Sequence, residues 1–210
     1  MSRASVLSRP LVTSGVLVGL AATVATLAYP VVPFAESREG FGVVSATTDD
    51  GRGVINTSSG PLTPADRDFL KKVRLAGLWE LPSGTMAQVQ TQNAAVRTAG
   101  KHLIDGHKLL DRDVVQVAQN LGVALPNEPN SQQQGWLAQL KSSRDGAFDE
   151  NFANLLRNAH GKVFPLVAET RSKTQNQLVR ALADRANYVV LDHMGMLEQT
   201  GRVDFNALTR

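Results

Sequence analysis

Three imidazoles and one carboxylate stand where apolar side chains are expected. Glu80, His107, His160 and His193 each lie on or beside a stripe of Val, Leu, Ala and Phe, one on each of four long segments. A polar group on a buried face costs free energy unless something satisfies it. One divalent transition-metal ion held by a carboxylate and three imidazoles would satisfy all four together, and the cores of helix bundles commonly house such sites. The pattern does not choose the metal. The bland alternative is that each histidine is hydrogen-bonded to a nearby group; Asp111, one turn beyond His107, and Asp192, beside His193, are the acidic neighbours at hand.

Other chemistries are excluded or given no footing. There is no cysteine, which removes disulfides, thiolate nucleophiles and cysteine-ligated zinc or iron–sulfur centres. Carboxylate di-iron bundles carry a Glu three residues before a ligating His, and here Ile104 and Val190 occupy those positions before His107 and His193. No P-loop, nucleophile elbow or glycine-rich dinucleotide fingerprint is present. His102 is five residues before His107 and off its face, so it reads as a surface residue. Met194 and Met196 read as core filling and Trp79 and Trp136 as helix-interface packing. Arg67, Lys71, Lys72 and Arg74 read as a solvated basic face.

The elements that must position these residues are helical. Hydrophobic residues make up 42% of the 210 residues and aromatics 5%, which suits a core packed by Leu, Val and Ala. Thr63-Pro64-Ala65-Asp66 is a helix start, with Thr63 as N-cap and Pro64 in the first turn. Phe69, Val73, Ala76 and Glu80 follow at helical spacing, and Pro82-Ser83-Gly84 is expected to interrupt the helix with a kink before it resumes to about Gln90. A second helix is expected from Asn93 to Leu121, with Val96, Leu103, His107, Leu110, Val114, Val117 and Leu121 on its seam and Gly122 as its stop. After a loop, Ser131 caps a short helix carrying Trp136, Leu137 and Leu140. A third long helix starts near Asp145 and carries Phe148, Phe152, Leu155, Leu156, His160, Val163 and Val167. Thr174 caps the fourth, with Leu178, Leu182, Ala186, Val189, His193 and Met196 or Leu197 inward and Gly201 at its end. Short first and last connections point to an all-α, up-down four-helix bundle over residues 61–205, with one short extra helix in the long middle connection.

Depth along the helices then sorts the ligands. A first hairpin turning near residues 92–94 puts Glu80 and His107 at one level. A second turning at Lys173 and Thr174 matches His160 with Asn187, leaving His193 roughly 9 Å away at 1.5 Å per residue. Depth therefore supports Glu80 with His107 as the best-matched pair of the four and sets His193 apart.

Ahead of the bundle, Arg3 and Arg9 precede a run over residues 10–35 without a charge, which reads as a secretory signal or retained membrane anchor over residues 1–35. Residues 36–60, rich in Gly, Ser and Thr, read as a flexible spacer, with room for a lone strand at Gly42–Ala46. The expected location is extracytoplasmic, secreted or anchored facing outward, and the only membrane contact foreseen is through this segment. The formal charge of +3 falls to about +1 without Arg3 and Arg9, so nucleic acid is not an expected partner. No protein partner is indicated.

Residues 65–205 resemble the bacterial family catalogued as domain of unknown function number 4142. The resemblance is carried by Glu80, by Asp105-Gly106-His107 in place of an Asp-His signature, by Phe148-Asp149 with Phe152, by His160 and by His193. Trp79-Glu80-Leu81-Pro82 and Gln134-Gly135-Trp136 resemble an actinobacterial branch. The resemblance implies an exported, ferritin-like four-helix protein and no particular reaction. The leading functional expectation is a non-enzymatic bundle binding a metal ion or small ligand through Glu80, His107, His160 and His193. A structural or interaction module of the cell envelope is the alternative, and a redox metalloenzyme the third.

Overall fold

The computed structural model describes residues 51–208. The charge-free run, the Gly42–Ala46 strand and most of the spacer lie outside them. Among the described residues no helix is long and apolar enough to cross a membrane.

The end of the segment read as spacer has structure. Strand β1 (Ile55–Thr57) pairs antiparallel with β2 (Gly60–Leu62), Ile55 opposite Leu62. Its turn is tied by the Thr57 hydroxyl, which donates to the Gly60 carbonyl at 2.6 Å. The hairpin docks on the bundle: Gln177 N donates to Ser59 O at 2.7 Å, and the Asn176 side chain donates to Gly60 O at 3.1 Å. Gly60, at φ +105°, has no alternative, because a Cβ there would stand 2.6 Å from the Gln175 carbonyl.

Four long helices follow: α1 (Pro64–Gln90), α2 (Ala94–Leu121), α4 (Asp145–Lys173) and α5 (Gln177–Glu198), with the short α3 (Ser131–Ser142) between α2 and α4 and one last turn, α6 (Phe205–Leu208). Thr63 and Asp66 form a reciprocal capping box at the start of α1, and Gly122 ends α2 at φ +68°. Two cap assignments move. Asn130, not Ser131, caps α3, and Asn176, not Thr174, caps α5, each accepting from backbone N–H groups of the first turn. Asn is at least as good a cap as Ser or Thr, so composition alone did not separate the neighbours.

Helix α1 is not interrupted. It runs unbroken through Pro82, Ser83 and Gly84. The glycine is there for packing: a Cβ on Gly84 would stand 2.5 Å from the Gly100 carbonyl, and one on Gly100 2.6 Å from the Ala87 Cβ. The two backbones approach where neither has a side chain.

The up–down expectation holds within each hairpin, α1/α2 and α4/α5. Two core clusters show how the hairpins combine. One joins Phe69, Leu70 and Val73 of early α1 to Val114 and Val117 of late α2, Val167 of late α4 and Val179 and Leu182 of early α5. The other joins late α1, early α2, early α4 and late α5 through Trp79, Leu103, Phe148, Phe152 and Leu197, with Leu140 of α3. Helices α2 and α4 therefore run in the same direction, and the connection of residues 122–144 carries the chain back along the bundle. Helix α2 packs on α1 and α5, and α4 on α5 and α1. Trp79 and Trp136 pack with ring centroids 4.8 Å apart.

Part of the basic stretch is not a solvated face. Arg67 is buried and donates to the Gly53 carbonyl at 2.9 Å, and Arg74 pairs with Asp111 and reaches the Pro126 carbonyl. Lys72 pairs with Asp68 on the surface as expected.

Candidate metal centre

All four predicted residues meet. Glu80, His107, His160 and His193 each offer one ligand atom, and these atoms lie within 4.8 Å of one another. The four residues are 1–3% exposed. The separation of His193 expected from depth is thus corrected. Helix α4 ends at Lys173 and α5 begins at Gln177, so the turn centres near Gln175 and the level of His160 falls at Val190. That moves the match three residues towards His193, about 4.5 Å, a remainder that two inward-reaching imidazoles span. The buried stripe of α5 also turns by one residue: Val179 and Val190 are buried, whereas Leu178 and Val189 are only partly so.

Hydrogen bonds set the orientation of two rings. His160 Nδ1 donates to the Leu156 carbonyl at 2.8 Å, one turn back on its own helix. His193 Nε2 donates across to the His102 carbonyl on α2 at 3.0 Å. A carbonyl can only accept, so in each neutral ring the proton sits on the outer nitrogen and the lone pair faces inward. Those inner atoms, His160 Nε2 and His193 Nδ1, are 3.1 Å apart. His160 Nε2 also lies 3.2 Å from Glu80 Oε2, the same oxygen that His107 Nε2 meets at 2.8 Å. His107 Nδ1 is buried without a hydrogen-bond partner among the described residues, so no backbone carbonyl dictates its tautomer.

Burial and charge shift three of the four groups. Burial alone would raise the Glu80 carboxyl, but the charge interactions with His160 and His107, with hydrogen bonds from His107 and Trp79, outweigh it and hold it below its ordinary value. Burial pushes both His160 and His193 below the ordinary histidine value, and the neighbouring imidazoles add to the effect. A carboxylate facing three imidazoles is a donor set of three nitrogens and one oxygen, suited to zinc, iron, copper or nickel.

The acidic neighbours of the bland alternative are engaged elsewhere. Asp111 pairs with Arg74, and Asp192 accepts from His102 at 2.8 Å on the surface. His102 is as exposed as its position implied, but its backbone carbonyl holds His193. That role and the role of Gly106 were not foreseen. A Cβ on Gly106 would stand 2.5 Å from His193 Nε2 and 2.9 Å from its Cε1, so the ring reaches the α2 backbone only because residue 106 is glycine. The one trace of this in the sequence is the glycine inside Asp105-Gly106-His107.

No curated protein and no solved structure shows significant similarity to the chain. The family model described as a domain of unknown function, DUF4142, matches residues 55–200, from the first strand of the hairpin to the end of α5. The match takes in the whole bundle and all four residues of the buried cluster, and by it the chain belongs to the DUF4142 family.

Proposed function

We propose that this protein binds one divalent transition-metal ion between its four long helices, through Glu80, His107, His160 and His193, as a binding protein acting outside the cytoplasm. One observation carries the reading: His160 Nε2 and His193 Nδ1 face each other at 3.1 Å with both outer nitrogens occupied by backbone carbonyls. Two lone pairs at that distance repel. Either a proton or a cation must lie among them, and burial disfavours the proton on both rings. Tying the far nitrogen of a ligating histidine to a carbonyl is also the usual way proteins fix such a ligand. His107, whose outer nitrogen is untied, can present the Nε2 lone pair by carrying its proton on Nδ1. The extracytoplasmic part of the reading rests on Arg3, Arg9 and the charge-free run of residues 10–35.

Metal analysis of full-length protein purified without a histidine tag tests the proposal. About one equivalent of zinc, iron, copper or nickel, retained on desalting or after reconstitution, is the expected result. No stoichiometric metal in either preparation overturns it, and leaves the cluster as a hydrogen-bonded core network of an envelope module.

A further inference from the structure

A cavity of about 20 Å³ adjoins the cluster. Glu80, His107 and His160 form one wall, and His193 does not line it. The remaining wall is apolar, with Val73 and Ala76 from α1, Leu110 from α2 and Ala186 from α5. It therefore lies on the side away from His193, towards the hairpin-covered end of the bundle. About 10–15 Å³ of such space suffices for one water molecule, so the cavity has room for a water or a diatomic molecule.

We infer that a metal ion in this centre keeps a fifth coordination position, opening into this cavity, which takes a neutral ligand of water or diatomic size. The inference rests on the metal-binding reading above and deepens it. Four protein ligands could close a tetrahedral site, as structural zinc sites do, whereas a site that receives an outside ligand keeps one position open. Space against three of the four ligands is what an open position requires, and close packing would otherwise have filled it. The wall chemistry then selects the ligand. Apart from the three ligating side chains the lining has no hydrogen-bonding side chain, so a charged molecule would lose its hydration without replacement. A small neutral molecule loses little and gains the metal bond.

Cobalt(II) bound to the full-length, untagged protein reads the coordination number, because its visible absorption is weak when five-coordinate and intense when four-coordinate. The wild type is expected to show the weak spectrum. Ala186→Val, which fills the cavity from α5, is expected to bind one equivalent of cobalt with a several-fold more intense spectrum. Ala76→Val fills the same space from α1 and serves if the first variant does not fold. One equivalent of cobalt with an intense, four-coordinate spectrum in the wild type overturns the inference and leaves the metal site standing. A spectrum unchanged in a folded cavity-filling variant overturns it as well. Failure of the wild type to take up cobalt, zinc, iron, copper or nickel at all overturns the metal-binding reading and this inference with it.

Discussion

His107 meets Glu80 at 2.8 Å in the bundle core, and His102, five residues earlier on the same helix, meets Asp192 at the same distance on the surface. Five residues turn a helix by about 500°, which puts the two rings some 140° apart around α2. The buried pair is 3% and 4% exposed and the surface pair 40% and 48%. An exposed pair gains little, because water screens the attraction and would solvate either group alone. In the core neither group reaches bulk water, and the loss of one leaves the others unsatisfied. The same contact is optional in one place and obligatory in the other. The surface residue still serves the centre, through its carbonyl and not its ring.

The strongest way to break this comparison is Glu80→Ala. It takes the hydrogen-bond acceptor from buried His107 and leaves a gap among three imidazoles, which is expected to lower unfolding free energy by about 3 kcal/mol, measured by urea denaturation, and to abolish metal retention.

Acid should separate the two regions next. His160 and His193 have folded values below 6.5, so the unfolded chain takes up protons first as pH falls. Their neutral forms therefore contribute stability that is fully present above about pH 6.5 and is lost below it, at about 1.4 kcal/mol per histidine per pH unit. Glu80 acts in the same direction lower down, its share present above 4.5 and lost as pH falls through its depressed folded value. Denaturation of metal-free protein between pH 7.5 and 5 checks this. A flat profile would show that the two imidazoles take up protons in the fold just as they do in the unfolded chain.

Gly106→Ala is expected to have an intermediate effect. The added methyl drives His193 from the His102 carbonyl, costing about 1–3 kcal/mol by overpacking and about 10–100-fold in metal affinity by loss of the tether. Isothermal titration of the metal-free variant distinguishes that outcome from a purely structural one, in which affinity is unchanged. Asp192→Asn and His102→Ala should do least. Each removes the exposed pair for under about 1 kcal/mol, and both leave metal binding intact, since the carbonyl of residue 102 remains. A tenfold loss of metal affinity in His102→Ala would mean that the ring itself supports the centre.

Much of the fold was legible because seams are local. The four- and three-residue steps from Leu103 to Val117 require a helix with one apolar face, whatever it packs against. Four ligand-type residues on such faces were visible for the same reason. Their convergence was not, because it depends on where the chain turns: an error of a residue and a half in the α4–α5 loop displaced His193 by about 4.5 Å. The hairpin was read as spacer because three-residue strands carry too little alternation to register, and because their partners, Asn176 and Gln177, lie over a hundred residues away. Gly84 was read as a breaker since nothing nearby in sequence shows that Gly100 needs the space.

The sequence by itself determined the helices, their buried faces, most of their ends and the residue types available to a metal, since all of these follow from periodicity and capping within one or two turns. Tertiary structure decided the rest. It ran α2 and α4 in the same direction, brought His193 into the cluster through a glycine and a backbone carbonyl, and left a cavity beside three of the four ligands. Each of these is a distance between segments far apart in the chain, and such distances are set by how whole helices pack together.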